Sequence, residues 1–451
     1  MLKKLLITKK IIFMYKLSKY NFFVEYNDII LFYNALTDIV IPIKFSDKDI
    51  LLSLLNNLVM FQKKRLKLFN KFCDWGFIIK MEFDEISYIK FKNHQVIFNT
   101  RNYRLTINPT LDCNMSCWYC TVDAAGVKRP NKRMNDNIIS NIKKYVSFLI
   151  ENRLVDGFFL DWFGGEPMIY FKEVIVPIAM HIKALTKKYN IPFLHHITTN
   201  GYLINKENIK TIDEISLNSF QITLDGNKSR HNKIRQHYGN PTFDKIIENI
   251  NMICDKVENS SITLRINYDR KTLTNISDII PLIHQKYRSK INISFQKIFQ
   301  LKGLNGNENV LLKKVKEEFE KAGFDINYWA FRPKSFFTCY SDKYAHAVIN
   351  YDGNVYKCTA RDYSEDVRIG KLKDNGMIDW KKEMLSTMFA QAPFENEICL
   401  NCKLLPLCFG PCIQKHYETK TSKATFNCKM KDSELSVETF IITEAKKRNL
   451  I

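Results

Sequence analysis

The central part of the chain alternates short apolar runs with longer amphipathic stretches. Short β-branched and apolar runs are typical of strands, whereas a period of 3.6 residues is typical of helices. The runs predict six strands, over Arg104–Asn108, Gly157–Phe163, Phe193–Thr199, Ser219–Leu224, Ser261–Asn267 and Asn292–Phe299. Helices are predicted between them, for example over Asn135–Glu151, Glu173–Tyr189 and Phe243–Val257. Six βα repeats indicate an α/β fold with a parallel sheet.

The first hundred residues follow a different pattern and predict a separate domain of strands and short helices. Turn residues separate the first two apolar runs, and a capping pattern opens a helix after the third. The predicted elements are strands over Asn21–Tyr26, Ile29–Tyr33 and Ile39–Ile43, a helix through Leu51–Leu55, a helix over Lys63–Cys73, and short strands near Phe77–Lys80 and Ser87–Phe91.

The last third of the chain is rich in cysteine. A break at Gly303–Asn307 precedes a charged helix over Val310–Ala322, and a final helix is predicted over Glu434–Arg448. We therefore predict four segments: an N-terminal domain over residues 1–100, a barrel over 101–305, a linker helix over 306–335, and a cysteine-rich domain over 336–451.

The chain is strongly basic, with a formal net charge of +21. Its lysines are scattered, and no nucleic-acid-binding motif accompanies them, so we attribute the charge to compositional bias and expect no nucleic-acid partner. The N-terminus lacks the features of a signal peptide, and no apolar run is as long as a membrane span. We expect a cytoplasmic protein with no membrane partner, whose true start is either Met1 or Met14.

Three cysteines, Cys113, Cys117 and Cys120, follow the first barrel strand with the spacing Cys-x3-Cys-x2-Cys. Three thiolates on one short loop suit a [4Fe–4S] cluster whose fourth iron has no protein ligand, so that this iron can bind a substrate. The alternative is a zinc site, which usually takes four ligands, often in two separated pairs. No fourth ligand lies close in the sequence, so the cluster is the favoured interpretation.

The cysteine loop and the Gly164-Gly165-Glu166-Pro167 segment after the second strand resemble the radical S-adenosylmethionine (SAM) superfamily. This resemblance implies a partial (β/α)6 TIM-like barrel, with its chemistry at the carboxyl ends of the strands. It also implies that Gly164, Gly165 and Glu166 hold the amino group of SAM. We expect the two glycines to let the backbone approach that ligand closely.

The resemblance implies further SAM contacts at the other strand ends. Thr199 and Asn200 are ribose candidates, although Asn-Gly is also a common turn. Arg235 is the candidate for the SAM carboxylate, and Asp225 either contributes to the pocket or caps the next helix. Tyr119 and Asn267 complete the predicted contacts. Arg265 lies on the same strand face as Asn267 and reaches either the ligands or a structural ion pair.

The C-terminal cysteines resemble the seven-cysteine SPASM domain, with the core spacing Cys-x2-Cys-x5-Cys-x3-Cys. The resemblance implies two auxiliary [4Fe–4S] clusters and therefore three clusters in the whole chain. One auxiliary cluster would use Cys399, Cys402, Cys408 and Cys428, and the other would use Cys339, Cys358 and Cys412. A zinc ribbon is the alternative, but seven cysteines do not divide into four-ligand sites. Cys73 and Cys254 are expected to be structural.

These resemblances imply a radical SAM enzyme that modifies a ribosomally made peptide, with a carbon–carbon or thioether crosslink as the expected product. The N-terminal domain resembles winged-helix elements that bind a leader peptide as an added strand; a structural cap is the alternative. A flavodoxin- or ferredoxin-type protein would supply electrons. The catalytic acid or base is unknown.

Three other functions stay open at this point. The first is an anaerobic sulfatase-maturating enzyme, although Thr359 stands after Cys358 where that group carries Asp, and Asp362 does not match. The second is an electron carrier without catalysis, which would have no need of Glu166 and Arg235. The third is an RNA-modifying enzyme, which only the basic charge suggests.

Overall fold

A computed structural model describes residues 15–120, 131–298, 306–327, 331–421, 428, 430 and 436–451. The alternative start at Met14 and most of the predicted break at Gly303–Asn307 lie outside the described residues.

The described strands are β1 (Tyr15–Leu17), β2 (Asn21–Tyr26), β3 (Ile29–Asn34), β4 (Ile39–Lys44), β5 (Ile78–Lys80), β6 (Asn102–Ile107), β7 (Gly157–Trp162), β8 (Phe193–Thr199), β9 (Ser219–Leu224), β10 (Ser261–Tyr268), β11 (Ile291–Lys297), β12 (Asp325–Ile326), β13 (His346–Ile349), β14 (Asn354–Tyr356), β15 (Gly370–Leu372) and β16 (Ile378–Trp380).

The described α-helices are α1 (Lys48–Asn56), α2 (Leu58–Lys64), α3 (Leu66–Asp74), α4 (Glu85–Ile97), α5 (Asp136–Glu151), α6 (Val176–Lys188), α7 (Ile209–Glu214), α8 (Lys228–Ile234), α9 (Phe243–Lys256), α10 (Arg270–Asn275), α11 (Gly306–Lys321), α12 (Lys382–Phe389), α13 (Glu397–Leu400), α14 (Leu405–Cys408), α15 (Ile413–Thr421) and α16 (Val437–Lys447).

The chain divides into two compact units. The first joins the N-terminal region up to Phe98 with two later segments, one ending at Lys343 and one beginning at Met388. The second contains Asn99–Asn327 and Tyr344–Thr387. The four segment boundaries expected from the sequence stay a prediction.

The second unit is built on an eleven-stranded sheet in the order β12-β11-β10-β9-β8-β7-β6-β13-β14-β15-β16. Strands β6 to β11 are the six predicted from the sequence, and each is parallel to its neighbours. The expected parallel α/β sheet of a partial barrel is thus confirmed. Strand β13 pairs in parallel with β6, and β14 to β16 continue the sheet in antiparallel order.

The two faces of this sheet differ in polarity because successive side chains of a strand point to opposite sides. Apolar side chains on one face are fully buried, with helices such as α5, α6 and α9 supplying buried apolar side chains of their own. The other face is polar, and the strand register places Thr106, Asp161 and His196 side by side on it. A polar interior surface suits a polar ligand near the carboxyl ends of the strands.

In the first unit, strands β2, β3 and β4 form an antiparallel sheet that is covered on both faces. Phe32 packs against rings from the following helices, including Phe72 at 5.8 Å between centroids. Its neighbour Tyr33 points to the opposite face and packs against Phe440 of α16. Because alternate residues of one strand serve two cores, N-terminal and C-terminal segments fold together.

Two N-terminal predictions were wrong. The predicted strand near Ser87–Phe91 is part of α4, because the Asp84 carboxylate accepts hydrogen bonds from the Ile86 and Ser87 amides and starts a helix. The predicted helix over Lys63–Cys73 is two helices, α2 and α3, which meet at Arg65. The short apolar runs did not distinguish these arrangements because packing selects between them.

None of the helices that the structure describes has the length and apolar composition needed to cross a lipid bilayer.

Candidate functional site

The three-cysteine loop directly follows β6, at the carboxyl edge of the parallel sheet. Cys117 is buried, whereas Cys113 and Cys120 are partly exposed. The Cys120 amide donates to the Cys117 carbonyl at 3.0 Å, which forms a tight turn. Cys120 also packs against a small apolar cluster made of Leu111, Val348, Tyr356 and Tyr363. The loop is thereby held by β6 on one side and by residues near β13 and β14 on the other.

The Gly164–Glu166 turn after β7 is hydrogen-bonded to the backbone of the cysteine loop. The Gly165 amide donates to the Thr110 carbonyl at 3.1 Å, and the Glu166 amide donates to the Asp112 carbonyl at 2.7 Å. A Cβ on Gly165 would lie 2.0 Å from the Asp112 carbonyl oxygen, and one on Gly164 would lie 2.3 Å from that of Thr110. The structure therefore shows a reason for both glycines that we had not predicted: close contact between two protein segments.

Glu166 is a buried carboxylate, 1 % exposed, whose protein partners are neutral donors. One oxygen accepts from the Met168 amide at 3.0 Å and the Thr199 hydroxyl at 2.7 Å, and the other accepts from the Asn200 amide at 2.7 Å. Burial raises the pKa of Glu166, and these bonds only partly oppose it. Within the described residues, no lysine or arginine forms an ion pair with Glu166, so the geometry fits a cationic ligand group.

Thr199 and Asn200 were predicted to contact the ribose. Their side chains form hydrogen bonds with other protein groups. The Thr199 hydroxyl donates to Glu166 and accepts from the Gly201 amide at 3.1 Å. The Asn200 side chain donates to the Asn114 side-chain oxygen at 2.7 Å and accepts from the Tyr202 amide at 3.0 Å. These residues connect the end of β8 to Glu166 and to the cysteine loop.

Tyr119 is the centre of a buried network that collects the other predicted SAM contacts. Its hydroxyl donates to Asp225 at 2.5 Å and accepts from Arg235 at 2.8 Å and from the Asn267 amide at 3.0 Å. Asp225 forms an ion pair with Arg235, and Arg265 donates to the Asn267 side chain at 2.8 Å. The network joins the cysteine loop to the ends of β9 and β10.

Asp225 contacts Tyr119 and Arg235 in this network and does not cap the next helix. The cap of α8 is Asn227, whose side chain accepts from the Arg230 amide at 3.2 Å. Burial alone would lower the pKa of Arg235, but Asp225, Cys117 and Tyr119 together outweigh it and hold that pKa well above its ordinary value. The expected alternative role of Asp225 as a helix cap is therefore wrong.

The network contains more positive than negative charge. Arg235 and Arg265 contribute two guanidinium groups, and Asp225 contributes one carboxylate. Burial raises the pKa of Tyr119, so its hydroxyl stays neutral, and burial lowers the pKa of Arg265. No described carboxylate forms an ion pair with Arg265. A buried site with one excess guanidinium is suited to an incoming anion.

Three of the C-terminal cysteines lie on or between two short helices of the first unit, α13 and α14. Cys399 and Cys408 are buried, and Cys402 is partly exposed. A Cβ on Gly410 would lie 3.3 Å from the Cys399 sulfur, while the Gly410 amide donates to the Cys408 sulfur at 3.4 Å. Gly410 therefore lies against two of the predicted ligands. Cys428, the fourth predicted ligand of this cluster, is partly exposed.

Asp342 links two further cysteines in the same unit. One carboxylate oxygen accepts from the Thr338 and Cys339 amides, each at 2.8 Å, and the other accepts from the Ile413 amide at 2.8 Å. Cys339 and Cys412 are thereby held near one side chain. We had not predicted this role, although an Asp three residues after Cys339 matches a capping pattern.

The predicted set of Cys339, Cys358 and Cys412 draws on both units and stays a prediction. Cys358 follows β14 in the second unit, where its sulfur accepts from the Ala360 amide at 3.3 Å. Cys73 and Cys254, expected to be structural, are partly and fully buried respectively. Burial raises the pKa of both thiols to about 11, which keeps them protonated at neutral pH.

Across the described residues, no three His, Cys, Asp or Glu side chains converge as they would around a single metal ion. A cubane cluster spaces its thiolates more widely than one ion does, because each thiolate binds a different iron.

Two family models match this chain. The radical SAM superfamily model matches residues 107–275, and the SPASM iron–sulfur cluster-binding domain matches residues 339–403. The first match covers the cysteine loop, Glu166 and the Tyr119 network. No curated protein sequence is significantly similar to the chain.

Solved structures share the fold at low sequence identity. Native anSMEcpe with bound AdoMet is 18 % identical over 77 % of this chain and 97 % of that chain, with a TM-score of 0.55. Streptococcus suis SuiB bound to S-adenosylmethionine is 15 % identical over 88 % of this chain and 96 % of that chain, with a TM-score of 0.51.

The chain is therefore an enzyme with a radical SAM domain and a SPASM domain, and its cofactors are SAM and iron–sulfur clusters. The residues predicted to contact SAM lie around the cysteine loop, largely as hydrogen-bonding partners of one another.

The contact between the Gly164–Glu166 turn and the cysteine loop predicts the effect of Gly165→Ala. The new methyl group would overlap two backbone carbonyls, so we expect a loss of about 3 kcal/mol of stability and an iron content lowered by one cluster. Thermal unfolding and iron analysis of the anaerobically reconstituted protein measure both. Gly239→Ala is the control, because a Cβ there meets nothing within 4 Å, and should cost about 1 kcal/mol through its positive φ. Equal losses of stability and iron in Gly165→Ala and Gly239→Ala would contradict the proposed contact between the turn and the cysteine loop.

Proposed function

We propose that this enzyme is a peptide maturase that uses a 5′-deoxyadenosyl radical to install a carbon–carbon or thioether crosslink in a ribosomally made peptide. The observation that carries the radical chemistry is Glu166, a buried carboxylate with neutral protein partners beside a three-cysteine loop.

Cys113, Cys117 and Cys120 are the proposed ligands of the cluster that binds SAM. Their loop lies at the carboxyl edge of the sheet, and its partners hold it firmly in place. When bound, the cluster supplies an electron that cleaves SAM, and the resulting radical takes a hydrogen atom from the substrate. The task of the protein is to orient SAM and to exclude water.

Glu166 is the proposed partner of the SAM ammonium group. An ammonium ion beside this carboxylate would supply the positive charge that its neutral donors lack. Thr199 and Asn200 then act by fixing the Glu166 carboxylate, since their bonds to it hold both oxygens.

Arg265 is our proposed partner of the SAM carboxylate, in place of Arg235. Arg235 is paired with Asp225, whereas Arg265 has no acidic partner among the described residues and contacts Asn267. A planar guanidinium binds a carboxylate through two parallel hydrogen bonds. The SAM carboxylate would then neutralise the excess charge of the Tyr119 network.

Two features of the first unit support a peptide substrate. Its antiparallel sheet of three strands with short helices is the arrangement expected for leader-peptide recognition, in which a peptide adds as a strand to a sheet edge. The unit also has a cavity of about 770 Å³, lined by aromatic and basic side chains that include Tyr88, Lys92 and Phe336. Aromatic anchors with cations suit a peptide segment that carries apolar and acidic residues.

The comparison proteins agree with a peptide substrate without defining the reaction. A structure of anSMEcpe contains both AdoMet and the Cp18Cys peptide, and it shares this fold with a TM-score of 0.53 at 18 % identity. Sulfatase maturation is the second candidate function. Thr359 still argues against it, and the nearby Asp362 accepts from the Ser364 amide at 3.2 Å.

In the crosslinking reaction, one hydrogen atom passes from the substrate to the 5′-deoxyadenosyl radical. A second hydrogen leaves as a proton and an electron when the new bond forms. When bound, an auxiliary cluster of the SPASM domain would accept this electron, and a flavodoxin- or ferredoxin-type protein would supply the electron that starts each turnover.

The cluster assignment predicts that the Cys113/Cys117/Cys120→Ala variant no longer cleaves SAM. We expect about twelve irons per chain in the wild type and about eight in the variant, because three [4Fe–4S] clusters become two. Anaerobic reconstitution, iron analysis and 5′-deoxyadenosine formation measure these outcomes. A wild-type plateau near four irons, or 5′-deoxyadenosine from the variant, would contradict the assignment.

The proposed roles of the two arginines predict different responses to a ligand without a carboxylate. Arg265→Gln should weaken SAM binding by about tenfold to a hundredfold, as expected for loss of a charged hydrogen bond, and leave the affinity for decarboxylated SAM unchanged. Anaerobic calorimetry on the reconstituted enzyme measures both affinities.

Arg235→Gln is the matched control for Arg265→Gln. It leaves Asp225 buried and unpaired, so we expect a stability loss of about 3 kcal/mol or more and an equal effect on the two ligands. If Arg235→Gln, and not Arg265→Gln, weakened the binding of SAM more than the binding of decarboxylated SAM, Arg235 would be the partner of the SAM carboxylate.

Anaerobic co-expression with short peptides encoded beside the gene tests the proposed reaction. The expected product is a peptide lighter by two hydrogens, with fragmentation blocked between the two joined residues, as intact and tandem mass spectrometry would show. Unmodified peptides from an enzyme that still cleaves SAM would favour a protein substrate such as a sulfatase.

A further inference from the structure

Asn200 lies between Glu166 and the first cysteine of the loop. Its backbone amide donates to Glu166 at 2.7 Å, while its side-chain nitrogen lies 2.7 Å from the Asn114 side-chain oxygen and 3.9 Å from the Cys113 sulfur. Asn200 is only 6 % exposed. A single residue therefore contacts both the proposed SAM-binding carboxylate and a proposed cluster ligand.

The direction of the hydrogen bond to Cys113 depends on the state of the sulfur. As a thiol, Cys113 donates to the Asn114 side-chain oxygen at 3.8 Å. A thiolate that binds iron carries no proton and can only accept. In that state the Asn200 side-chain N–H is directed at the sulfur as a donor, and the Asn114 oxygen holds the same NH₂ group in place.

We propose that Asn200 is a positioning residue that donates a hydrogen bond to the Cys113 thiolate and raises the reduction potential of the SAM-binding cluster. The inference rests on the proposed function, because it takes Cys113 as a cluster ligand. Hydrogen bonds to cluster sulfurs stabilise the reduced form, since reduction adds negative charge to them. Burial of Asn200 strengthens this effect by lowering the local dielectric.

The contacts of Asn200 favour this role over the ribose contact expected from the resemblance. Its side-chain oxygen accepts from the Tyr202 amide, and its side-chain nitrogen faces Asn114 and Cys113. A ribose hydroxyl would have to displace one of these contacts. Asn114 was not predicted as a site residue; its place beside Cys113, inside the cysteine spacing, was the available signal.

Asn200→Ala tests the inference because it removes the side-chain donor and keeps the backbone amide that binds Glu166. The measurement is a potentiometric titration of the reconstituted holoenzyme, followed by electron paramagnetic resonance. The SAM-binding cluster is identified as the signal that changes when SAM is added. We expect its midpoint to become more negative, with the ratio of reduced to oxidised cluster about tenfold lower at a fixed potential, which is about 59 mV for one electron.

Two further variants make the test specific. Asn249→Ala is the matched control, because the Asn249 side chain donates to the Gly201 carbonyl at 2.8 Å and supports the same turn without touching a cysteine. The reduction midpoint of the SAM-binding cluster in Asn249→Ala should equal that of the wild type. Asn200→Asp keeps the side-chain shape but replaces the donor with a negative charge, so it should lower the midpoint further than Asn200→Ala does.

The outcomes separate the inference from the proposed function. A wild-type holoenzyme with no SAM-responsive signal would contradict the proposed cluster site and the inference with it. A normal wild-type signal, with full iron content and unchanged midpoints in Asn200→Ala and Asn200→Asp, would overturn the inference alone. An equal shift in Asn249→Ala would also overturn it, because the effect would then come from the turn.

Discussion

The site depends on the backbone contact between the Gly164–Glu166 turn and the cysteine loop. Two amide-to-carbonyl hydrogen bonds join the segments, and the separation at Gly165 leaves no room for a Cβ. This contact holds Glu166, which follows one strand, beside cysteines that follow its neighbour. Since parallel strands end at the same edge of a sheet, the fold aligns the two segments, and the glycines allow them to touch.

Buried charge defines what this edge of the sheet can bind. Glu166 has neutral protein partners, and the Tyr119 network contains one more guanidinium than carboxylate. The two imbalances are opposite in sign, and a ligand that carries both an ammonium and a carboxylate would neutralise both. An amino-acid group such as that of SAM has this property. Charge complementarity of this kind favours one orientation of a ligand over the reverse.

The first unit shows how distant parts of the chain come to share one core. Alternate residues of β3 face opposite sides of the sheet, so Phe32 packs with the N-terminal helices and Tyr33 packs with Phe440 near the C-terminus. Arg448 and Asp38 add an ion pair between the same two segments. Two segments that lie hundreds of residues apart in the sequence are therefore stabilised together.

The sequence by itself determined the six parallel strands of the sheet and the types of residue in the site. Strand and helix periods are local properties, and the spacing of Cys113, Cys117 and Cys120 is visible without a structure. The helix at Glu85–Ile97 was missed because a short apolar run fits both periods. Only the tertiary structure decided which residues partner each other: Arg235 with Asp225, Arg265 with Asn267, and Asn200 with Asn114 and Cys113. The physical reason is that these pairs join different strands and loops, and their geometry depends on how those elements pack.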